Sequence, residues 1–451
     1  MEALAVIAGM VALVWGVVVF ARGGLLGGCF AVLLAGTCFS VPFCKLELGP
    51  VPLTADRVLL VLLIVQYIFW RRWGWADPKP MGKPEILLAI FTAMLGVSAF
   101  TADWRALDYQ PLSRLIIYYL MPAALYWIAR QTKFSQQTVL AVIGCFTVLG
   151  VYLAVTALAE YFQAWWLVFP KYIETTAAEN KLEFIGRGRG PLLNPVGNGM
   201  LLATCLGSAL LWWPWLNRSG RVLLLPIVLL FLAAIYVSLT RSAWMGGLLA
   251  VVLVVGLAIP WNWRLPLLGG GLLVGLLVAA TQWEQLIAFK RDKSLTAEQT
   301  AGSVELRPIL AVVTWHMFLE RPLFGCGFSQ YKTEHENYVS DRSTDLPLER
   351  ARGYIPHNVA FSLLTETGLV GLGLFAAMLC FWGRDAWRLW RDGDSPLWAR
   401  QQGLLMLAAL GTYLINGMFH DVSVVPMANM TLFFLAGVTA GLRPLYSSRS
   451  A

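Results

Sequence analysis

Charge is scarce in this sequence. Only 13% of the 451 residues are charged, whereas 58% are apolar, a balance that excludes an ordinary soluble globular protein and gives no sign of nucleic-acid binding. Apolar stretches of about 17 to 25 residues, the length that crosses a bilayer, recur along the chain. Backbone groups in lipid must be hydrogen-bonded within their own segment, so the sequence predicts an all-α polytopic integral membrane protein.

The apolar stretches predict twelve or thirteen transmembrane helices. The first 43 residues are predicted to cross the membrane once or twice. ARGG at 21–24 is either a true loop between two helices or a break within a pair of apolar stretches that span poorly. Glu2 and the missing small-residue cleavage site argue against a removable signal peptide. The predicted spans are 3–20, 25–43, 56–70, 85–101, 114–129, 138–161, 195–215, 222–239, 242–260, 265–282, 358–382, 403–419 and 424–442.

Short basic loops set the predicted orientation, because lysine and arginine near helix ends stay on the cytoplasmic side. These loops and their contacts with membrane lipids account for most of the +8 net charge. Three regions follow: residues 1–282 with transmembrane helices and periplasmic arginine loops, a long periplasmic loop at 283–357 with interfacial helices, and C-terminal spans with a basic tail at 358–451. The loops predicted to be periplasmic are 102–113, 162–194, 240–242, 283–356 and 420–423.

Motifs for metal, disulfide and nucleotide chemistry are also missing. The seven cysteines are scattered without a disulfide framework or metal spacing, and no two of the four histidines have metal-ligand spacing near a carboxylate pair. The phosphate-binding pattern GxxxxGK[ST] is absent. We therefore expect no metal site and no cofactor.

What the outer segments do contain is arginine. Arg241 interrupts an apolar run at a predicted hairpin tip, where an arginine is either functional or a snorkelling anchor. Arg187 and Arg189 alternate with glycines in GRGRG, which indicates either a phosphate-binding loop or a solvated basic loop. Arg307 precedes Pro308 at the predicted start of an interfacial helix, where it either faces the membrane entrance or contacts Glu305 or a headgroup.

A histidine joins these arginines at the same predicted membrane surface. His357 and Asn358, in IPHN, precede the span at 358–382. Imidazole exchanges a proton near neutral pH, so His357 is a candidate general base, although a lone histidine is more often structural. Glu366 lies nine residues further on, roughly 13 Å along a helix, too far to orient the imidazole. We expect Glu366 to pair with an arginine or to support packing.

Several arginines and one base at the lipid boundary suit a substrate with an anionic phosphate head and a lipid tail. In a sugar linked to a lipid pyrophosphate, the anomeric carbon already carries a good leaving group. The protein then needs to stabilise the developing charge and to deprotonate an acceptor hydroxyl. Arginines can do the first without a metal, and a histidine can do the second.

The segments SLTRSAW, ELRP with the downstream RPLFGCGFSQY, and PHNVAFSLLTETGLVGLG resemble the signatures of the O-antigen ligase and polymerase superfamily, over residues 182–380. Within it the chain is most similar to WaaL-type O-antigen ligases of the Gram-negative inner membrane. The resemblance implies transfer of O-antigen from undecaprenyl pyrophosphate to lipid A-core, on the periplasmic side and with inversion at the anomeric carbon.

The resemblance also implies site residues. It makes Arg241, Arg307 and His357 the essential arginines and histidine, and Arg189 or the competing Arg187 a substrate ligand. Asn358 is expected to position the histidine ring or a sugar hydroxyl, and His357 either deprotonates the acceptor or orients it. O-antigen polymerases and protein O-oligosaccharyltransferases share these signatures and remain alternatives, with a transporter of lipid-linked glycan more remote.

Overall fold

The computed structural model describes residues 22–39, 41–43, 45–46, 51–101, 111–178, 184, 186–266, 268–271, 273, 280–281, 297–340 and 344–447. These ranges are dominated by helices and contain one isolated antiparallel bridge, between Leu46 and Leu53. Helices are labelled in chain order as α1 (Arg22–Cys38), α2 (Ala55–Arg72), α3 (Lys83–Thr101), α4 (Pro111–Arg130), α5 (Gln136–Tyr161), α6 (Tyr172–Ala178), α7 (Pro195–Leu210), α8 (Arg218–Val237), α9 (Arg241–Ala258), α10 (Ala297–Glu320), α11 (Val359–Arg391), α12 (Leu397–Gly417) and α13 (Pro426–Ser447).

Seven helices of the described chain are long and apolar enough to cross a membrane: α3, α4, α5, α7, α8, α9 and α11. The prediction of an all-α polytopic membrane protein is confirmed, whereas the number of twelve or thirteen spans stays a prediction. Helices α1, α2, α12 and α13 also overlap predicted spans. The predicted span 3–20 and half of 265–282 lie outside the described residues.

The centre of the bundle is α7, all of whose residues are buried. It packs against α5, α8, α9 and α12. Small residues permit this close packing: a Cβ added at Gly199 would lie 2.5 Å from the Cβ of Ala243 on α9. Helix α8 has the opposite character, because apolar side chains such as Leu223 and Leu229 are 67% and 64% exposed. This contrast is typical of a bundle in which one helix is enclosed by protein and another faces lipid.

Helix α11 is broken at Gly368, whose φ of 65° and ψ of −165° are not helical. The backbone of the segment after α10 enters the break, and a Cβ at Gly368 would lie 2.3 Å from the carbonyl carbon of Leu323. Four backbone hydrogen bonds join the two segments: Cys326 N to Thr365 O, Gly327 N to Glu366 O, Leu369 N to Pro322 O, and Val370 N to Leu323 O. Glycine is required here because other residues rarely adopt this conformation. The RPLFGCG and TETGLVGLG motifs are therefore one structural unit.

The predicted start of the helix at Pro308 is wrong. Helix α10 begins at Ala297, and Pro308 lies in its interior. A proline inside a helix removes one backbone donor and crowds the preceding turn, at a cost of about 3 kcal/mol, so the helix through Pro308 depends on tertiary packing rather than on local propensity. The helix ends at Glu320, before the glycines at 325 and 327. Its apolar face packs against the following segment through a separate core of nine residues: Leu306, Ile309, Leu310, Val313, Met317, Tyr331, Val339, Leu348 and Ala351.

Candidate active site

A cavity of about 210 Å³ lies between α10 and the start of α11. Arg307, His357 and Asn358 all line it, so the structure brings together three of the residues that the sequence singled out. The rest of the lining is mainly apolar: Leu310, Ala311, Thr314, Pro356, Phe361, Met418 and Phe419. We call this space the histidine cavity. A cation and an imidazole in a largely apolar wall are a combination expected of a site that binds an amphipathic anion.

The histidine is placed by the start of α11. Asn358 is the N-cap, and its Oδ1 accepts hydrogen bonds from the backbone N–H groups of Ala360, at 2.8 Å, and Phe361, at 3.2 Å. Its Nδ2 donates to the carbonyl of Met418, at 3.0 Å. Asparagine is among the residues preferred for capping, because it satisfies donors left open at the first turn. These bonds fix the position of the adjacent His357.

Burial and a neighbouring positive charge hold the pKa of His357 below the ordinary value near 6.5. Partial burial is the largest cause, the positive charge of Arg307 is the next, and Asp421 acts in the opposite direction. Within the described ranges neither ring nitrogen of His357 has a hydrogen-bond partner. The imidazole is therefore neutral at pH 7 and able to accept a proton, as a general base must be.

These causes predict opposite effects of two substitutions on the pKa of His357. Arg307→Gln removes a positive neighbour and should raise it, whereas Asp421→Asn removes a negative neighbour and should lower it. The measurement is an NMR titration of the four histidine rings, with the His357 signal assigned through its loss in His357→Ala. Arg72→Gln, an exposed charge at the end of α2, is the control and should leave the value unchanged. Shifts of the same sign in both variants would contradict the proposed geometry.

Asp421 was missed by sequence reasoning. It follows α12 in a loop, and its Oδ2 accepts a 2.5 Å hydrogen bond from Ser362 Oγ, one turn into α11. Oδ1 accepts from the backbone N–H of Ser423, at 3.2 Å. A single carboxylate in FHDVSV carries no periodic or motif signal. The prediction that residues 420–423 share a membrane side with His357 was the one available clue.

Arg241 is the first residue of α9, directly after the turn that follows α8. The predicted hairpin tip is therefore confirmed. Arg241 is exposed and Arg307 is half-buried. Burial lowers the pKa of Arg307, and the positive charge of Arg241 lowers it further. Within the described residues Arg307 forms no ion pair. Two guanidinium groups that repel each other gain free energy when an anion binds between them.

The GRGRG loop packs on that same turn. Gly188 N donates to the carbonyl of Val237, at 2.8 Å, and the carbonyl of Gly188 accepts from Asn198 Nδ2, at 3.2 Å. The alternative of a solvated basic loop is wrong, since Arg187 and Arg189 are only 5% and 4% exposed. The loop is instead an ordered part of the bundle, next to the residues that precede Arg241.

The two arginines of this loop have different surroundings. Arg189 Nε lies 2.6 Å from Glu160 Oε1 at the end of α5, and its own backbone N–H donates to Glu160 Oε2 at 2.7 Å. Arg189 Nη2 also donates to the carbonyl of Ile173, at 3.3 Å. The guanidinium of Arg187 lies 5.2 Å from the ring centre of Phe184. Arg189 therefore ties the loop to α5.

Breaking this buried pair should cost stability. Arg189→Gln and Glu160→Gln each leave a partner buried without its counter-charge, at a cost of about 3 to 5 kcal/mol in free energy of unfolding. The measurement is thermal or denaturant unfolding of the purified protein. Lys171→Gln removes an exposed 3.4 Å pair with Glu174 and should cost less than about 1 kcal/mol. Arg189→Gln with wild-type stability and a raised Michaelis constant would instead identify a substrate ligand.

Glu366 has an arginine partner, although it is not one of the four arginines singled out from the sequence. The partner is Arg114 on α4, whose Nη1 donates to both carboxylate oxygens, at 2.7 and 2.9 Å. Glu366, Arg114 and Asp421 line a second cavity of about 210 Å³, which shares Pro356 with the histidine cavity. The pair thus anchors the first half of α11 to α4 beside the candidate site.

In the ranges that the structure describes, no group of three or more histidine, cysteine, aspartate or glutamate side chains is arranged to hold a metal ion. The two carboxylates that line the neighbouring cavity, Asp421 and Glu366, are engaged by Ser362 and Arg114 respectively. Metal independence remains a proposal about the reaction.

Two comparisons with known proteins bear on this site. Residues 226–376 match the family model described as O-antigen ligase, a range that contains Arg241, Arg307, His357 and Asn358. A protein named O-antigen ligase from Salmonella typhimurium is 26% identical over 234 residues, which cover 49% of this chain and 55% of that protein. The aligned part is therefore about half the length of the relative. The matched range includes α10 and the first part of α11, so the histidine cavity lies in the part of the chain that is similar to the O-antigen ligase family.

Proposed function

We propose that the chain is an O-antigen ligase of the bacterial inner membrane, with its site facing the periplasm. It transfers O-antigen polysaccharide from undecaprenyl pyrophosphate to lipid A-core. The observation that carries the proposal is the histidine cavity, where half-buried Arg307 and a neutral His357 share a mainly apolar wall. The Salmonella typhimurium relative is named for this activity.

In the proposed reaction an acceptor hydroxyl attacks the anomeric carbon from the side opposite to the pyrophosphate. One carbon–oxygen bond forms and the bond to pyrophosphate breaks, so the configuration inverts. The hydroxyl proton passes to the free ring nitrogen of His357, and the departing lipid pyrophosphate takes the negative charge. His357 returns the proton to solvent or to the leaving group before the next turnover.

Arg307 and Arg241 stabilise the charge that develops on the pyrophosphate. Their mutual repulsion is relieved by an anion, and guanidinium donors match phosphate oxygens geometrically. In the GRGRG loop, Arg187 is the proposed substrate ligand. Arg189 acts by holding that loop in place through its ion pair with Glu160. Asn358 positions His357 through the helix cap.

The charge stabilisation in this scheme comes from arginine, so we propose that the reaction needs neither metal nor cofactor. Polymerisation of O-antigen repeats and transfer to protein use the same donor and leaving group and differ only in the acceptor. Transport of lipid-linked glycan would form no glycosidic bond.

One reconstituted assay separates these functions. Purified protein with undecaprenyl-pyrophosphate-linked glycan and rough lipopolysaccharide should yield a glycan ladder on lipid A-core. Growth of the lipid-linked glycan would indicate a polymerase, labelling of a serine or threonine would indicate a protein glycosyltransferase, and movement across vesicles without product would indicate a transporter. Activity should survive chelation by EDTA. Loss that Mg²⁺ restores would contradict metal independence.

A further inference from the structure

A second basic site lies at the opposite end of the bundle. A cavity of about 420 Å³, which we call the basic cavity, is bounded by the start of α3, the end of α4 and the distal halves of α11 and α13. Arg384 and Arg388 line it, in the part of α11 after the break at Gly368, whereas His357 precedes the start of this helix. RRWGWADPKPMGK before α3 and WGRDAWRLWRDGD at the end of α11 are short basic segments, so both are predicted to be cytoplasmic. Nothing in the proposed transfer reaction uses this cavity.

The basic cavity has an excess of positive charge. Its two carboxylates are already engaged: Glu85 by Arg130, at 3.0 Å, and by the hydroxyl of Tyr126, and Asp385 by Arg443. Within the described chain no carboxylate lies within 4.0 Å of a nitrogen of Lys83 or Arg384. The five cations that line the cavity are Lys83, Arg130, Arg384, Arg388 and Arg443.

The excess of positive charge in the basic cavity favours an anionic ligand. Three more cations than carboxylates face one partly enclosed space, and walls of low dielectric focus their field. Arginine offers forked donors that match the oxygens of a phosphate group. Basic pockets between transmembrane helices on the cytoplasmic side are also where acidic phospholipid headgroups bind. A phosphate-bearing anion is therefore the class of ligand that fits.

The surface beside the cavity favours a lipid over a soluble phosphate. Ile86, Ile90 and Val97 occupy one face of α3 and are 48%, 48% and 66% exposed. The face begins one residue after Glu85, which lines the cavity, while another face of α3 packs on α11. We propose that the basic cavity binds the headgroup of an anionic phospholipid, whose acyl chains pack along this exposed face of α3.

The test measures stabilisation of the purified full chain by short-chain phosphatidylglycerol, phosphatidylcholine of equal chain length, and inorganic phosphate at matched ionic strength. Phosphatidylglycerol should raise the melting temperature at low concentration, and the other two should not. The variant Lys83→Gln with Arg384→Gln removes two exposed charges of the cavity. It should raise the half-saturating concentration of phosphatidylglycerol about 30-fold, because each cation near a headgroup contributes about 1 kcal/mol.

The matched control is Arg72→Gln with Lys133→Gln, which removes two exposed charges at the same end of the bundle but outside the cavity. It should bind phosphatidylglycerol as the wild type does. Equal loss in both double variants would show a diffuse surface effect and overturn the assignment. A shift with inorganic phosphate that equals the lipid shift, and that the cavity variant alone loses, would identify a soluble phosphate ligand instead. If the cavity variant does not fold, Arg384→Gln alone should weaken binding about fivefold.

Discussion

His357→Ala should lower the rate of glycan transfer by about 10²- to 10⁴-fold, the usual contribution of a positioned general base. The pKa of His357 lies below its ordinary value, so the wild-type rate should be constant above pH 7 and fall as the pH drops through that lowered value. His357→Ala should lose this acidic limb. The measurement is ladder formation in the reconstituted assay, sampled over time and across pH. The substitution leaves the Asn358 cap in place, so the protein should fold normally.

His316→Ala is the matched control for His357→Ala. His316 lies on α10, outside the residues that line the histidine cavity, and its replacement should change the rate less than about twofold. Near-normal transfer by purified His357→Ala would remove His357 from the mechanism. A slow variant that kept the full pH profile would assign His357 to orienting the acceptor rather than to accepting its proton.

Arg307→Gln should lower the transfer rate by about 10²- to 10³-fold, the effect of removing one donor that stabilises developing charge. The reason is that Arg307 lines the histidine cavity and is half-buried there, so no nearby solvent replaces it. Arg307→Lys keeps the charge but loses the forked geometry, and we expect it to recover only part of the rate. The loss should appear mainly in kcat if Arg307 acts on the leaving group, and mainly in KM if it only binds the ground state.

Arg321→Gln is the control for Arg307→Gln. Arg321 directly follows α10, its side chain is 49% exposed, and its 3.6 Å contact with Glu334 lies on the surface. We expect it to retain wild-type transfer, because an exposed pair of this kind contributes little. If Arg321→Gln lost as much transfer rate as Arg307→Gln, the general positive charge of the outer segment, rather than a specific site at Arg307, would support transfer.

The membrane architecture follows from the sequence because it depends on local composition. Long apolar runs must form helices in lipid wherever they occur. Arg241 interrupts one such run, which predicted a helical hairpin, and the structure has one there. The meeting of Arg307 and His357 in one cavity was likewise predicted, through sidedness and residue chemistry. The place of Asn358 beside the imidazole follows from its position in the chain.

Other features depend on partners that are distant in sequence. Glu366 was expected to have an arginine, but only the packing of α4 against the start of α11 selects Arg114. The sequence did not distinguish the surroundings of Arg187 and Arg189, because the ion pair of Arg189 depends on Glu160 at the end of α5, 2.6 Å away. The helix through Pro308 was misread because a proline marks a start only when the preceding residues are not helical.

The sequence by itself determined that the chain folds in a membrane and that it is helical. It also determined which residue types, several arginines and a histidine, are predicted to lie at one membrane surface. Tertiary structure alone decided the break at Gly368, the placement of Asp421 near His357 and the ion-pair partners. Hydropathy is a property of each segment, so it can be read locally. The choice of a partner depends on which helix ends meet, and that is set by the packing of the whole bundle.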